Sequence, residues 1–355
     1  MSERVFDTRD LQQRLLAWYD KNKRDLPWRA DKDPYRIWVS EIMLQQTRVD
    51  TVIPFYERFI ATLPDISSLA EVSDDVLLKL WEGLGYYRRA ANLKKGAQAL
   101  VLDHGGRMPD DVRTLLTLPG IGPYTAGAIA SIAFQKCVPA ADGNVFRILS
   151  RVMALPGCID DAAVKKELTG ELSQWIPADR PGDFNEALMD LGATVCLPSG
   201  MPLCDRCPWN SVCIASKSQA TQQYPKRAQK KARRIEKKTV FLLLDGDCVA
   251  LRKRPEGGLL ENLWEFPNAK GWLDAQQMVK MFKGLGVHIE EPVTLGACRH
   301  VFTHLEWHMR GFRADVLRAD SFATFSWVPL DQLESDYPIP SAFRFYLDAL
   351  LETAK

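Results

Sequence analysis

The feature that most limits the fold of this chain is a turn rich in proline and glycine between two apolar segments. Residues Leu118–Gly127 read Leu-Pro-Gly-Ile-Gly-Pro-Tyr-Thr-Ala-Gly, so that Pro119-Gly120 ends one predicted helix and a second helix begins near Thr125. Glycine lets a backbone approach a partner closely, and the first N–H groups of a helix have no partner within it. The turn therefore predicts an anion site that suits a DNA phosphate, with a plain tight turn between two helices as the alternative.

The chain changes character after about residue 220. Helix-like apolar spacing predicts helices over 75–81, 112–118, 125–134 and 144–155. Later segments favour strands over 239–244, 248–252, 293–297, 300–307 and 309–316, with one helix over 274–285. We therefore expect an all-α domain over 1–220, a linker over 221–238 and an α+β domain over 239–352.

Charge is balanced overall, but one segment is strongly basic. The net charge is +1, whereas Lys226–Lys238 reads KRAQKKARRIEKK with Glu236 as its one acid. This segment is either a solvated linker or a phosphate contact. The sequence has no apolar run long enough to span a bilayer and no secretory stretch, so we expect a cytoplasmic protein with no membrane partner.

Four of the eight cysteines lie close together, as Cys196, Cys204, Cys207 and Cys213. In a reducing compartment such a group suggests metal rather than disulfides. Four thiolates can hold an iron–sulfur cluster. A structural zinc site more often uses two short C-x2-4-C pairs, and only one such pair is present, so [4Fe–4S] is favoured, with zinc or no metal as the alternatives.

Glu41 stands among Trp38, Val39, Ile42 and Met43. A carboxyl group in apolar surroundings has a raised pKa, so it can remain protonated near neutral pH and act as an acid. The alternative is a surface glutamate on an ordinary helix.

Asp142 and Asn144 precede a predicted helix. Either residue could simply be its N-cap. Their position shortly after the glycine-rich turn favours a functional role.

Taken together, these segments resemble the helix-hairpin-helix DNA glycosylases with an iron–sulfur loop, and within them the MutY-type adenine DNA glycosylases. The resemblance covers nearly the whole chain and rests on strings in a characteristic order: LPWR (26–29), SEIMLQQT (40–47), WEGLGYY (81–87), LPGIGPYTAGAI (118–129), DGNV (142–145), FNEALMDLGATVC (184–196) and the cysteine loop (196–213). It implies a multidomain protein, with an all-α glycosylase domain carrying an Fe–S loop and an α+β Nudix-like domain that recognises 8-oxoguanine.

The resemblance also implies a role for each matched residue. Glu41 matches the general acid that protonates adenine at N7, and Asp142 matches the carboxylate that stabilises the oxocarbenium-like sugar. Tyr124 and Asn144 match helpers in the active site. The pocket for extruded adenine matches Trp28, Arg29 and Glu186. The residues matched to DNA contacts are Gln46, Thr47, Leu84, Tyr86, Gly120 and Gly122, with Phe302, Thr303 and His304 matched to the 8-oxoguanine loop. The cluster ligands match Cys196, Cys204, Cys207 and Cys213.

Two positions depart from the family pattern. The family usually has six residues between its first two cysteine ligands, whereas seven separate Cys196 from Cys204. It often has serine where Thr303 stands; threonine keeps the hydroxyl and adds a methyl group.

Tyr124 predicts an enzyme that removes a base without cutting the strand. The endonuclease III enzymes have a lysine at this place that can form a Schiff base with the sugar, which tyrosine cannot do. The expected substrate is double-stranded DNA with adenine opposite 8-oxoguanine or guanine. We expect a monomer, because one chain holds all the expected parts.

Three rival functions have specific arguments against them. Residues 257–265 faintly resemble the start of the Nudix pyrophosphohydrolase motif, but Gln276, Gln277 and Lys280 stand where that motif has metal-binding acids. A non-catalytic DNA-binding module has no need of both Glu41 and Asp142. An endonuclease III-like glycosylase for oxidised pyrimidines is disfavoured by Tyr124 and by the second domain.

Overall fold

A computed structural model describes residues 6–229, 232–319 and 325–353. Its contacts divide the chain into a helical unit, residues 1–71 with 92–229, and a sheet unit, residues 72–91 with 230–355. The predicted class, an all-α part followed by an α+β part, is confirmed. The contacts differ from the predicted continuous domains because residues 72–91 group with the sheet unit. Lys230 and Lys231 of the basic segment lie outside the described residues, among which no helix is long and apolar enough to cross a membrane.

Helices dominate residues 6–229. In chain order they are α1 (Thr8–Asn22), α2 (Pro34–Leu44), α3 (Val49–Thr62), α4 (Ile66–Glu71), α5 (Asp74–Trp81), α6 (Arg88–His104), α7 (Val112–Leu115), α8 (Pro123–Ile132), α9 (Gly143–Val152), α10 (Ala162–Trp175), α11 (Pro181–Thr194) and α12 (Ile214–Lys217). α8 begins two residues earlier than predicted, because the fixed φ of Pro123 suits the first turn of a helix.

One apolar core joins α1, α9, α10 and α11 to the cysteine loop. Leu15, Leu149, Trp175 and Phe184 are buried in it, each from a different helix of this group. Trp209 of the loop is fully buried in the same core, and its Nε1 donates to the carbonyl of Leu11 at 2.9 Å. The cysteine loop is therefore built into the helical unit rather than attached to its surface.

Asn185 of α11 holds the connection between α8 and α9. Its Nδ2 donates to Ser131 Oγ and to the carbonyl of Val138, each at 2.9 Å, and its Oδ1 accepts from the N–H of Ala140 at 3.0 Å. Asn185 is fully buried, so each bond also satisfies a polar group that water does not reach. These bonds fix the backbone two residues before Asp142.

The sheet unit is built on β1 and β7, which run parallel to each other. Its elements are β1 (Arg234–Asp245), β2 (Cys248–Lys253), β3 (Trp264–Glu265), β4 (Asn268–Lys270), α13 (Ala275–Gly284), β5 (Val287–Ile289), β6 (Val293–Val301), β7 (Leu305–Ala319), β8 (Ser326–Pro329), α14 (Leu333–Asp336) and α15 (Arg344–Thr353). The other pairings, β1 with β2 and β4, β2 with β3 and β8, and β7 with β5 and β6, are antiparallel.

Alternation along β1 gives the sheet two apolar faces. Val240 and Leu242 face the core that contains Tyr346 of α15, whereas Phe241 and Leu243 face the core that contains Phe282 of α13. The predicted boundary between the strands 300–307 and 309–316 is wrong: β7 runs unbroken from Leu305, and the turn lies at 302–304. Alternation alone could not place the break, because apolar and polar residues alternate on both sides of it.

Residues 72–91 contact the rest of the sheet unit through polar groups. Asp75 of α5 pairs with Lys253 Nζ at 2.8 Å, and Glu82 Oε1 accepts from the N–H of Ile339 at 3.1 Å. No local sequence pattern predicts these contacts, because their partners lie far along the chain.

Gly127 allows α8 to approach the following connection, and alanine there tests this packing. An added Cβ would overlap the carbonyl oxygen of Pro139, whereas a Cβ at Gly170 of α10 meets no atom within 4 Å. Gly127→Ala should lower the free energy of unfolding by about 1–3 kcal/mol through overpacking. Gly170→Ala should raise it by up to about 1 kcal/mol, because alanine favours helix. Urea unfolding measures both, and equal effects would contradict the packing.

Candidate active site

The predicted catalytic residues come from the starts of two helices and the middle of a third. Tyr124 is the second residue of α8, Asp142 is the N-cap of α9, and Glu41 lies on α2. Glu41 is 4% exposed, so the alternative of an ordinary surface glutamate is excluded. The structure brings the three together, since Tyr124 is hydrogen-bonded to Glu41 and the charge of Asp142 acts on Glu41.

The carboxyl group of Glu41 has a pKa close to neutral pH. Burial raises its pKa to about 7; the Tyr124 hydrogen bond and the charge of Arg29 lower it, and the charges of Asp142 and Glu186 raise it. Its Oε2 is buried without a hydrogen-bond partner among the described residues. A protonated carboxyl with one free oxygen can donate a proton to a base atom within hydrogen-bond distance of that oxygen.

Tyr124 extends this site. Burial raises the pKa of its hydroxyl well above the usual value, and the negative charges of Glu41 and Asp142 raise it further. The phenol therefore stays protonated and serves as a neutral hydrogen-bond donor. It offers no amine for a covalent bond with a sugar.

Asp142 is both the cap of α9 and a member of the site. Its Oδ1 accepts from the N–H groups of Asn144 and Val145 at 2.9 and 2.8 Å, and its Oδ2 accepts from Asn144 Nδ2 at 2.7 Å. Asp142 is thus the cap of α9 as well as a predicted site residue, while Asn144 lies inside the helix and is not the cap. Asn144 Oδ1 accepts in turn from Arg147 Nη1 at 2.8 Å, which fixes the amide that orients the carboxylate.

Two residues of the predicted adenine pocket, Arg29 and Glu186, belong to a buried network of charged side chains. Arg29 pairs with Glu186 at 2.9 Å and binds both oxygens of Asp190, at 2.8 and 3.1 Å. Glu186 Oε2 accepts from the hydroxyl of Tyr19 at 3.0 Å, and burial raises the pKa of Glu186. Trp28 is buried beside this network against Tyr56, with ring centroids 5.3 Å apart.

Sequence reasoning missed Tyr19, Arg24 and Asp190. Asp190 is fully buried and also accepts from Arg24 Nε at 2.7 Å. The sequence spacing could have identified Asp190, because it lies four residues after Glu186 and therefore on the same face of α11. Tyr19 gave no comparable signal, since a tyrosine on an amphipathic helix usually belongs to the core.

The predicted DNA contacts of the helical unit lie at turns. Gln46 is exposed with φ +62°, a left-handed conformation that non-glycine residues rarely adopt outside special sites. Thr47 follows it. In the glycine-rich turn Gly120 has φ +81°, and a Cβ there would press against Asn92, while Gly122 caps α8 with open space around it.

The predicted DNA contacts of the sheet unit differ in exposure. Leu84 is buried, whereas Tyr86 is 47% exposed with φ +51°. In the β6–β7 turn Thr303 and His304 are exposed, and Phe302 packs on Trp307 with ring centroids 4.8 Å apart. The hydroxyls of Tyr86 and Thr303 lie 3.4 Å apart, so two residues far apart in the sequence offer their hydroxyls at one place.

The four predicted cluster ligands line one pocket. Cys196, Cys204, Cys207 and Cys213 are free thiols around it, together with Arg151 and Trp209. Burial raises the pKa of Cys207 to about 12, and the charges of the other three cysteines add to this rise. Among the described residues, no group of three or more His, Cys, Asp or Glu side chains is arranged to hold a metal ion.

Arg151 of α9 is a further residue of this pocket that the sequence did not reveal. Its Nη1 lies 3.2 Å from Cys196 Sγ and 2.9 Å from the carbonyl of Leu197, and its Nε donates to the carbonyls of Thr221 and Tyr224. It is 5% exposed and has no carboxylate partner among the described residues. A buried cation beside four thiols suits a negatively charged group in the pocket.

Asp190→Asn tests the charge network. Asn lacks the charge that balances Arg29 and Arg24, so the free energy of unfolding should fall by about 3–5 kcal/mol, as when one partner of a buried pair is lost. Asp10→Asn, at the exposed pair with Arg14 on α1, should leave the free energy of unfolding nearly unchanged, because water screens an exposed ion pair. Thermal or urea unfolding measures both, and a small loss at Asp190 would refute the view that this network supports the site.

Two domain families match the chain. Residues 39–174 match the HhH-GPD superfamily base excision DNA repair protein family, and residues 239–349 match the NUDIX domain. The fold also resembles a solved thermostable thymine-DNA glycosylase, with a TM-score of 0.54 and 28% identity over 59% of this chain and 97% of that one.

Relatives match across both domains. The Mus musculus adenine DNA glycosylase is 38% identical over 74% of this chain, which spans 61% of that protein's length. The adenine DNA glycosylase of Buchnera aphidicola subsp. Acyrthosiphon pisum is 36% identical, and the match covers 84% of each chain. The chain therefore belongs to the adenine DNA glycosylase family.

Proposed function

We propose that this chain hydrolyses the N-glycosidic bond of adenine in duplex DNA where adenine is mispaired with 8-oxoguanine or guanine. Family membership supports the substrate class. The observation that carries the chemistry is the buried Glu41 carboxyl, with its pKa raised to about 7 and Oε2 unpartnered.

Glu41 is the acid of the reaction. Adenine leaves the sugar readily only after its ring is protonated, and N7 is the atom to which the family resemblance assigns this step. A pKa near 7 keeps about half of the Glu41 carboxyls protonated at neutral pH, which suits a general acid. Tyr124 holds the other side of the carboxyl and leaves Oε2 for the base.

Asp142 is the anion that faces the developing positive charge of the sugar. The two backbone N–H groups and the Asn144 amide hold its carboxylate in one orientation. One neutral and one charged carboxyl divide the two tasks of glycosidic cleavage. Because neither can reach a stacked base, adenine must leave the helix before the reaction.

The pocket for adenine is formed by Trp28, Arg29 and Glu186. Glu186 is nearly buried and held by Tyr19 and Arg29, so its carboxylate is placed to accept hydrogen bonds from a base or a water. Since Tyr124 cannot form a Schiff base with the sugar, the enzyme releases the base and leaves the strand intact.

Selection for 8-oxoguanine is assigned to the β6–β7 turn. 8-Oxoguanine differs from guanine by an oxygen at C8 and a hydrogen at N7. The paired hydroxyls of Thr303 and Tyr86 can each donate or accept, so they can meet both groups. Threonine supplies the same hydroxyl as the serine common in the family.

Cys196, Cys204, Cys207 and Cys213 would hold a [4Fe–4S] cluster. The free thiols, their common pocket and the uncompensated charge of Arg151 fit an anionic cluster. When bound, the cluster would act as a structural cross-link, and Trp209 carries that support into the core with α1.

A single-turnover assay tests the proposed reaction. Wild type should release adenine opposite 8-oxoguanine and guanine but not opposite cytosine or thymine, and Glu41→Gln should lower the rate by at least about 100-fold, as for loss of a general acid. Equal release opposite thymine would refute the assignment.

The pH dependence follows from the sign of the Glu41 shift. Because the protonated form is the acid and its pKa is about 7, the single-turnover rate should fall about tenfold per pH unit above that value. A rate that stays constant up to about pH 9 would contradict the role of Glu41.

Iron analysis tests the cofactor. Protein purified without oxygen should contain about four iron atoms per chain, with the visible absorbance of an iron–sulfur cluster. Cys207→Ser should lower the iron content, while Cys158→Ser, a free cysteine outside the pocket, should not. One zinc per chain without iron would refute the cluster.

A further inference from the structure

One end of the sheet in the sheet unit carries an uncovered group of cations. On the α13 side of the sheet, Phe241 and Phe312 are covered by α13. Toward the other end the same face continues with Lys237, opposite His308, and with Arg310, opposite Thr239. Arg299 of β6 lies opposite His308 on this face. We call Arg233, Lys237, Arg299 and Arg310 the cationic face.

Trp272 positions two of these cations. It follows Gly271, whose N–H donates to the carbonyl of Lys237 at 2.8 Å. The indole ring lies 4.4 Å from Lys237 Nζ and 5.5 Å from Arg310 Cζ. The cations are thus supported by an aromatic surface rather than neutralised by carboxylates.

The charge of this face is mostly unbalanced. Glu306 is the acidic residue of this face. Its carboxylate oxygens lie 3.6 Å from a nitrogen of Arg233, 3.8 Å from one of Arg299 and 3.3 Å from one of His308. Among the described residues neither Lys237 nor Arg310 has an ion-pair partner, and Arg310 Nε has no hydrogen-bond partner. The face is open, since Ile235 and Val301 at its border are 56% and 42% exposed.

The spacing of the cations suits a DNA backbone. Lys237, His308 and Arg299 form one row across β1, β7 and β6, so Lys237 and Arg299 stand about 10 Å apart at the usual strand spacing. Each strand of a duplex carries one phosphate per about 3.4 Å of helix axis, so a row of this length can contact more than one phosphate. Arg299 lies four residues before Thr303 on the same hairpin, so DNA held at that turn passes near the row.

We propose that the cationic face binds the phosphate backbone beside the 8-oxoguanine site, an inference that rests on the proposed function for its DNA substrate. The proposal also gives different roles to two lysines at the end of the basic segment. Lys237 contacts phosphate, whereas Lys238 is buried against Trp307 and serves packing. Backbone contacts add affinity for any sequence and do not themselves select the lesion.

Equilibrium binding to DNA tests the proposal without turnover. In the Glu41→Gln background, Lys237→Gln with Arg299→Gln is compared with Lys280→Gln with Lys283→Gln, two exposed lysines of α13. Affinity is measured between about 50 and 200 mM salt for a duplex with adenine opposite 8-oxoguanine and for an undamaged duplex.

The first pair should reduce the slope of log affinity against log salt by about 2 on both duplexes, and the second pair should not change it. Lys237→Arg with Arg299→Lys should keep the parent slope. An unchanged slope in the first pair overturns the proposal. Failure of the proposed function is distinct: the parent would then bind both duplexes equally, while the slopes on undamaged DNA still report on the face.

Discussion

The chemistry of the helical unit depends on where the positive charge of Arg29 is held. Asp190 binds two nitrogens of Arg29, and Glu186 pairs with a third. Arg29 is therefore committed to these partners, and its charge changes the pKa of Glu41 less than burial, the Tyr124 hydrogen bond or the charges of Asp142 and Glu186 do. A direct ion pair would keep Glu41 charged and useless as an acid. The buried network thus lets one carboxyl remain neutral among several charged groups.

Local sequence was sufficient to identify the elements that carry this site. The glycine-rich turn, the start of α9 and the apolar surroundings of Glu41 are each short-range patterns, and the structure places them together. What the sequence could not supply are contacts between distant segments. The pairing of Arg29 with Asp190, the contact of Arg151 with Cys196 and the grouping of residues 72–91 with the sheet unit all depend on tertiary packing.

Asp142 illustrates why a structural and a functional interpretation of one residue need not compete. As the N-cap of α9 it satisfies two backbone N–H groups, which any aspartate at that position would do. The same bonds prevent its carboxylate from rotating, and the Asn144 amide completes this restraint. A reactive anion must be held in place before the sugar charge develops, because reorganisation during the reaction would cost free energy. In the proposed mechanism, the cap therefore provides this preorganisation.

The sheet unit matches the NUDIX domain, although its helix α13 carries no acidic side chain. By the family resemblance, α13 stands where Nudix hydrolases have metal-binding acids, yet it carries Gln276, Gln277 and Lys280. Its buried Met278 and Phe282 still cover one sheet face, so packing alone is enough to retain the helix. The groups that we propose for DNA contact lie on parts of the sheet that α13 does not cover, the β6–β7 turn and the cationic face. Fold membership therefore predicts the architecture of this unit, whereas its role must be argued from the exposed residues.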